Sequence, residues 1–224
     1  LSALTAYDPR RFDHQIIVNL RLLRLLCAIT TGAALRVAGV PLQPVIRNPL
    51  GEPHILGINA GGSLLVVLTS ALGMTLPIER PLIAALGAAG LFSLVLLFAQ
   101  GGRTGMTPMK VTLCGVALSA FASAITGAIL LFDEQTLQAM RLWLSGDLAG
   151  GSWEVLGAAV GVGVGGLGIA LWVSPALSIL ALGDKTAAGL GIAIVRTRIL
   201  TMGAIALLCG AALSVAGPIG FIGL

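Results

Sequence analysis

The sequence predicts an all-α, polytopic transmembrane helix bundle, and three observations lead to this fold class. Only 10% of the 224 residues are charged, whereas soluble domains carry about 25%, and the mean hydropathy is +1.02. The chain holds 31 glycines without a G-X-Y period, and glycine lets membrane helices approach one another closely. Its apolar runs approach the ~20 residues that a helix needs to cross a bilayer, and they lack the two-residue alternation of membrane strands.

About six apolar segments qualify as spanning helices, and each is bounded by Gly, Pro or charged residues. In order, they are Leu25–Ile46, Ile55–Leu72, Pro81–Ala99, Val111–Phe132, Val155–Val173 and Ile199–Ala216. The last two connections are longer than bundles usually have, and long connections often carry function. In the fifth segment Gly157, Gly161 and Gly165 recur every four residues, so we expect this face to pack closely against a neighbouring helix.

Several function classes are disfavoured by what the chain contains. The net charge of +4 is small and its basic residues are scattered, which argues against nucleic acid as a partner. Cys27, Cys114 and Cys209 are single cysteines in apolar runs, and His14 and His54 stand alone, so we expect buried core thiols, no disulfides and no metal site. No GxxxxGK[ST] motif and no catalytic constellation occur, so we expect a chain that is not an enzyme and draws its energy from elsewhere.

The first connection, RNPLGEPHILGINAGG, interrupts two apolar runs. Pro49 and Pro53 exclude a regular helix there, because proline lacks an amide donor and restricts the residue before it. Irregular backbone in a membrane protein lies outside the hydrocarbon or inside protein. We therefore expect a tight cytoplasmic turn packed against the bundle, followed by a nearly bare helix surface at Gly57, Gly61 and Gly62. Local physics alone favours an ordinary helical hairpin turn.

The same stretch carries a family resemblance. NPLGEPHILGINAG is similar to the signature NPLA-x-P-x-x-LG-x-x-x-GA of bacterial binding-protein-dependent permeases for ferric siderophores, haem and cobalamin. Four further stretches resemble that family in the expected order, namely GAALRVAGVPLQ, MKVTLCGVALSAFASAITGAILL, LALGDKTAAGLGIAIVRTR and AGPIGFIGL. The residues that match the signature turn are Asn48, Pro49, Leu50, Pro53, Leu56 and Gly57.

The resemblance implies the transmembrane subunit of an ATP-driven importer in the bacterial cytoplasmic (inner) membrane, with about ten helices per subunit and a dimeric pore. Residues 1–224 resemble a single permease domain made of family helices two to seven, so we expect the family's first and C-terminal helices to be absent from this sequence. The implied partners are an ATP-binding subunit, a periplasmic or lipoprotein substrate-binding protein, a second permease subunit of the same or another sequence, and the lipid membrane. We expect no cofactor in this chain, since ATP and magnesium belong to the partner subunit.

The fifth connection contains the candidate ATPase-coupling loop. Glycine at both ends breaks the chain, so a short helix between them could lie beneath the membrane as a separate element. The residues alone also allow a solvated loop, whereas the resemblance implies an element that docks on the ATP-binding subunit. The candidate coupling residues are Gly183, Asp184, Lys185, Ala188, Gly189, Leu190 and Gly191.

Arg21 and Arg24 lie three residues apart at the start of the first segment, and so on one helix face. One interpretation is that their stems lie along apolar surface while the charges reach water. The stretch resembles an R-L-P-R of the family, with Leu23 in place of proline, and this resemblance implies docking of an acidic binding protein. With this stretch set aside, the basic residues favour a cytoplasmic location for the connections after segments one, three and five.

Arg36 stands in the middle of the first segment, where a charge costs at least about 2.5–3.5 kcal/mol on insertion scales. It is a candidate for a wet pathway that attracts an anionic ferric chelate, or else a departure from the family without a role. Ser119 and Ser123 are further pathway candidates, because the fourth segment is rich in small residues that leave width for a bulky chelate.

The connection between the fourth and fifth segments carries charges that fit either a solvated face or a binding-protein contact. They are Asp133, Glu134, Arg141, Asp147 and Glu154. Trp143, Trp153 and Trp172 fall at or beyond segment ends, as aromatic residues of a membrane interface do.

The sequence therefore predicts a permease that imports a ferric siderophore with ATP hydrolysed by a partner. Cobalamin or haem import on the same scaffold remains the alternative. An ion-coupled carrier or channel is the alternative from another class, although Arg36 is the only ionisable residue at mid-membrane.

Overall fold

The computed structural model describes residues 12–46, 56–74, 79–101, 107–148 and 151–219, and helices form nearly all of these ranges. The helices are α1 (Phe12–Gln15), a π-helical segment (Ile16–Leu22), α2 (Leu23–Ile46), α3 (Ile58–Ala71), α4 (Arg80–Gln100), α5 (Pro108–Phe132), α6 (Glu134–Leu144), α7 (Trp153–Leu180), α8 (Asp184–Gly189) and α9 (Ile194–Ala216). No strand occurs in the described ranges, which confirms the predicted fold class.

Five stretches are long and apolar enough to cross a membrane. They are Ile16–Pro44, Arg80–Gln100, Met109–Phe132, Trp153–Leu180 and Ile194–Ala216. The predicted second segment is shorter than expected, because α3 has 14 residues and so a length of about 21 Å. Three other bounds differ by five residues or more: the first spanning stretch begins at Ile16 rather than Leu25, α7 continues past Val173 to Leu180, and α9 begins at Ile194 rather than Ile199.

Helix α9 is the centre of the bundle, where it packs against α7, α4 and α2. Nearly every residue from Ala204 to Ala216 is buried. Helix α3 packs against α4 and α5, and α5 lies at the periphery with the smallest buried share among the five spanning stretches. One side of α5 is therefore uncovered by the described part of the chain.

Glycine pairs set the closest helix crossing. A Cβ on Gly61 of α3 would overlap the carbonyl oxygen of Gly87 in α4, and a Cβ on Gly87 would overlap that of Gly61. The two backbones are thus in direct contact, which is how membrane helices gain dispersion energy without a hydrophobic driving force. The predicted bare surface at the start of the second segment is confirmed by this crossing.

The predicted packing face of α7 meets no other helix within the described part of the chain. An added Cβ at Gly157, Gly161 or Gly165 would meet no atom within 4 Å, so these glycines face outward from the described bundle. Gly166 makes the contact instead, since a Cβ there would lie 3.0 Å from Leu208 Cγ of α9. Gly166 follows Gly165 by one residue, and successive residues point about 100° apart around a helix axis. Gly166 therefore lies on a different face of α7 from the three predicted glycines.

A helix that the sequence analysis treated as a connection, α6, caps one end of the bundle. Asp133 begins it by accepting hydrogen bonds from the backbone N–H of Gln135 at 3.1 Å and of Thr136 at 3.2 Å. Thr136 Oγ1 also donates to Asp133 Oδ2 at 2.6 Å. These bonds, those from Thr136 foremost, hold the pKa of the Asp133 carboxyl below its ordinary value of 3.8.

Two ends of the bundle can be defined by the short helices. At the α6 end, α2 and α7 begin side by side, because Trp153 Nε1 donates to Asn19 Oδ1 at 3.4 Å and Gly151 lies beside Cys27. Helix α7 has 28 residues, or about 42 Å, so α8, which follows it, lies at the opposite end. We call that end the α8 end.

Candidate functional site

The coupling-loop candidates form a compact knob at the α8 end, defined by residues 183–191. Its chain enters through Gly183 at φ 112° and leaves through Gly191 at φ 78°, values that favour glycine over other residues. Backbone hydrogen bonds close it, from Ala187 N to Gly183 O at 2.9 Å and from Ile192 N to Ala187 O at 3.0 Å. The predicted short helix is present as α8, and its glycine boundaries have a conformational reason.

One buried side chain anchors the knob to the bundle. Ala187 is completely buried and belongs to the main core cluster, together with Leu180 of α7. Apolar side chains around it point outward: Leu190 of the knob is 61% exposed, and Leu182, which directly precedes the knob, is 69% exposed. Isolated apolar residues on a surface are ordinary, but two leucines flanking a protruding turn are suited to contact with another protein.

A cation–π contact ties together the two helices that carry the knob. Arg196 near the start of α9 places its guanidinium carbon 5.9 Å from the ring centre of Trp172 in α7. Such contacts contribute about 0.5–1 kcal/mol at exposed sites. Helices α7 and α9 also pack extensively along their length, so the knob sits on a firm hairpin base.

The arginine pair lies at the α6 end, opposite the knob. Arg21 lies in the last turn of the π-helical segment and Arg24 in the first turn of α2, and both side chains are exposed. A π-helical segment departs from the spacing on which the shared-face prediction depended, yet both charges still reach the surface. The pair is therefore available to a partner that approaches the α6 end.

The signature turn is only partly described. Asn48, Pro49, Leu50 and Pro53 lie outside the described residues, while Leu56 is 1% exposed and Gly57 precedes α3 with φ 81°. A Cβ on Gly57 would lie 3.2 Å from Leu91 Cδ2 and 3.4 Å from Ser119 Oγ.

Those neighbours place the end of the turn deep in the bundle. Leu91 and Ser119 stand near the middle of α4 and α5 respectively, so α3 begins halfway along its neighbours. Leu56 and Gly57 therefore lie within the bundle, and the rest of the predicted cytoplasmic turn lies outside the described residues. Their irregular backbone is tolerated at this depth because protein surrounds it.

The pathway candidates are not assembled at one place. Ser119 is half-buried beside Gly57, and its hydroxyl donates to Gly115 O at 2.6 Å. Ser123 is exposed one turn further along α5. Arg36 is exposed on α2, which packs mainly against α7 and α9 rather than against α5. The two serines thus lie on α5, whereas Arg36 lies on a separate surface of α2.

The remaining predicted residues divide between surface and core. Glu134, Arg141, Asp147 and Glu154 are exposed around α6, and Asp133 is the cap described above. Cys27 and Cys209 are buried and Cys114 is half-buried, all with free thiols. In the described part of the chain no group of three potential metal-binding side chains occurs; His14 is buried and His54 lies outside that part.

Two residues that sequence reasoning passed over, and one that it assigned another role, contribute to these sites. Ala187 anchors the knob, although a lone alanine gives no signal in a sequence. Trp143 is 8% exposed and donates its indole N–H to Leu213 O at 3.0 Å, so its predicted interfacial role is wrong. Asn59 is 4% exposed and donates from Nδ2 to Ile219 O at 2.7 Å; a buried polar residue in an apolar segment was the available signal.

Comparison with known proteins gives one family. The model of the FecCD transport family matches residues 1–224. The Fe(3+)-citrate import system permease protein of Bacillus subtilis is 41% identical over 224 residues, which cover 100% of this chain and 66% of that protein. The ferric enterobactin transport system permease protein of Escherichia coli is 38% identical over 215 residues, 95% of this chain and 64% of that protein.

Other relatives carry different names. The vitamin B12 import system permease protein of Vibrio vulnificus is 34% identical over 218 residues, 95% of this chain and 64% of that protein. A solved structure of a metal-chelate type ABC transporter in an inward-facing conformation matches with a TM-score of 0.78 and 28% identity, covering 97% of this chain and 70% of the other. The chain thus spans about two thirds of the length of the curated relatives that it matches.

Proposed function

The chain belongs to the FecCD transport family, and we propose on this basis that it is the permease part of a binding-protein-dependent ABC importer that moves a ferric siderophore inward. It is a multi-pass protein of the bacterial inner membrane, as the sequence predicted. ATP is hydrolysed by a partner subunit in this proposal, and the chain itself carries out no catalysis.

The observation that carries the proposal is the placement of the knob and the arginine pair at opposite ends of the bundle. An importer driven by ATP needs a contact for the energy-providing subunit on the inner side and a contact for the loaded binding protein on the outer side. The knob with its exposed Leu190, together with the adjacent exposed Leu182, supplies the first surface. Arg21 and Arg24 supply the second.

The knob is rigid enough to transmit a movement of the ATP-binding subunits to the helix bundle. Closed backbone hydrogen bonds and the buried Ala187 make residues 183–191 a small rigid body on the α7–α9 hairpin. When two ATP-binding subunits close, their movement can be passed to the bundle as a rigid-body displacement. Arg196 stacked on Trp172 holds the base of the hairpin together during that displacement.

At the α6 end the arginines guide and orient a partner. Exposed charges at the rim of an interface mostly raise the association rate and fix orientation, and they add modest affinity. An acidic binding protein is the complement of Arg21 and Arg24. Asp133 and Glu134, at the start of α6, would repel acidic groups placed too far to that side.

The exposed face of α5 is the proposed lining of the pathway and the face toward a second permease subunit. Its outward residues include many small ones: Ala117, Ala120, Ser123, Ala124, Gly127 and Ala128. Small side chains leave width for a bulky chelate, and Ser119 and Ser123 add hydrogen-bonding groups at mid-depth. Arg36 remains a pathway candidate on a separate surface of α2.

A ferric siderophore is favoured as substrate because relatives that are 41% and 38% identical are named for ferric citrate and ferric enterobactin. Cobalamin and haem are the alternatives, and relatives named for vitamin B12 and hemin are 34% and 32% identical. These relatives differ little in identity to this chain, so the choice among chelates rests on experiment.

The test is uptake by the full-length permease reconstituted into proteoliposomes with its ATP-binding subunit and binding protein. We expect uptake of an iron-labelled siderophore that requires internal ATP and survives ionophores that collapse ion gradients. Unlabelled siderophore should compete, whereas cobalamin and haem should not. Uptake that needs an ion gradient but no ATP-binding subunit would instead identify an ion-coupled carrier.

A further inference from the structure

The segment after α9 folds back into the bundle and touches three other elements. Gly217 turns the chain with φ 72° and donates its N–H to Leu213 O at 2.8 Å. Ile219 then donates its N–H to Gly217 O at 2.9 Å. The segment 217–219 therefore forms a tight return at the α6 end instead of continuing away from the helix.

The C-terminal part of α6 holds this return from one side. Trp143 donates its indole N–H to the carbonyls of Leu213 at 3.0 Å and Ser214 at 3.3 Å, which belong to the last turns of α9. A Cβ on Gly217 would overlap the carbonyl oxygen of Trp143, and a Cβ on Gly146 would lie 3.4 Å from Ile219 Cγ1. Helix α6 is thus in direct contact with residues 213–219.

Helix α3 holds the return from the other side. Asn59, in the first turn of α3, donates from Nδ2 to Ile219 O at 2.7 Å and is almost completely buried. That first turn is the mid-depth position where Gly57 meets Ser119 of α5. A buried polar group in a membrane segment seeks such a partner because the surroundings supply no water.

We propose that Asn59, the 217–219 return and Trp143 form a clasp that makes the outer helix α6 and the mid-depth start of α3 move as one unit. Asn59 is a positioning residue in this arrangement, since it acts through Ile219 and touches no substrate. Only the purpose of the clasp rests on the proposed function. That purpose is to transmit a displacement of α6, caused by a docked binding protein, to the level of Ser119.

The first test measures opening of the clasp directly and requires no transport assay. In the purified full-length permease, Trp153→Phe and Trp172→Phe remove the other two tryptophans that the chain contains here, and further ones elsewhere in the protein are replaced likewise. Asn59→Leu keeps the side-chain size but leaves Ile219 O without this donor. A buried acceptor left unpaired favours opening, and we expect about a tenfold rise in the open fraction of the clasp, seen as greater quenching of Trp143 by acrylamide.

Thr69→Val is the matched control on the same helix. Thr69 Oγ1 bonds only to Leu65 O and Val66 O within its own helix, among the hydrogen bonds observed. Its removal should leave Trp143 quenching as in the parent. Equal quenching in Asn59→Leu and the parent would overturn the proposal.

Coupling across the clasp is tested by a double-mutant cycle. Hydrogen exchange of residues 213–219 is measured for Asn59→Leu, for Trp143→Phe, which lacks the N–H donor, and for the double variant. We expect each single variant to speed exchange and the double variant to exchange no faster than the faster single one, because either change opens the same unit. Additive effects would show two independent contacts and would contradict the clasp.

The transport arm separates this inference from the proposed function. In proteoliposomes Asn59→Leu should lower the maximal uptake rate with little change in the half-saturating concentration of binding protein, while Thr69→Val transports as the parent does. Altered Trp143 quenching with unaltered uptake would refute the positioning role. Absence of ATP-dependent uptake even in the parent, with the quenching result intact, would refute the proposed function and leave the clasp standing.

Discussion

The crossing of α3 and α4 gives the most quantitative prediction, because two glycines of one helix differ only in what they face. Gly87→Ala places a methyl group where Gly61 O and Leu65 Cβ already stand, whereas Gly90→Ala places it where no atom lies within 4 Å. Both changes bring the same gain in intrinsic helix propensity, which therefore cancels in the comparison.

The expected penalty follows from the close contact. Backbone atoms of Gly61 cannot rotate away from the new methyl group, so the helices must separate. A gap of about 0.5–1 Å already forfeits a quarter to a half of the dispersion energy of each affected contact, and overpacking of this kind costs about 1–3 kcal/mol. At roughly 2–4 °C per kcal/mol for a chain of this size, Gly87→Ala should melt about 2–12 °C below Gly90→Ala.

The assay is thermal unfolding of the two purified variants in the same detergent, followed by circular dichroism. A combined Gly61→Ala and Gly87→Ala variant should lose less than the sum of the two single losses, because one separation accommodates both methyl groups. Equal melting temperatures for Gly87→Ala and Gly90→Ala would refute the close backbone contact.

Three further predictions concern the α6 end and the interior of the first spanning helix. Asp133→Ala should speed hydrogen exchange in α6 at neutral pH. Because folding lowers the pKa of Asp133, its carboxylate stabilises the folded state above the ordinary pKa, and this stabilisation is lost as pH falls through the folded pKa. The exchange rates of parent and variant should therefore converge only in strong acid. Arg21→Ala with Arg24→Ala should raise the half-saturating concentration of binding protein and weaken its dependence on salt, and unchanged salt dependence would argue against docking. Arg36→Ala should lower uptake without destabilising the bundle, since a central arginine costs about 2.5–3.5 kcal/mol on insertion; undiminished uptake would argue against a pathway role.

The existence of the helices could be predicted from the sequence because apolar runs of sufficient length have few other solutions in a bilayer. The short length of α3 could not, since the run from Ile55 to Leu72 is largely apolar and contains no proline or charged residue. What ends the helix at Ile58 is the packing of Gly57 against Leu91 and Ser119 at mid-depth, which depends on contacts with two other helices.

Faces were harder to predict than segments. Gly157, Gly161 and Gly165 form the more regular pattern in α7, yet Gly166 makes the contact with α9. The pattern shows that a helix could pack there, and tertiary structure decides which face does. Trp143 was misplaced for a related reason, because its indole N–H finds carbonyls at the end of α9 instead of water at the interface.

The parts of the candidate sites that could be predicted from the sequence are those bounded by glycine residues. Gly183 and Gly191 have backbone angles that explain why the sequence brackets α8 with glycine. Ala187, which fixes the knob to the core, and the stacking of Arg196 on Trp172 join residues whose proximity only the folded chain reveals. The family resemblance gave these residues their expected roles, and those roles remain predictions.

The most direct measurement of the central idea, that ATP hydrolysis drives the bundle from its α8 end, is a crosslinking comparison between the two ends. In full-length permease freed of native cysteines and purified with its ATP-binding subunit, single cysteines replace Leu190 on the knob or Leu137 on α6. A short bifunctional maleimide should join Leu190→Cys to the ATP-binding subunit, with a yield that changes on nucleotide binding, and should leave Leu137→Cys unlinked to it. A crosslink from Leu137→Cys and none from Leu190→Cys would contradict the account.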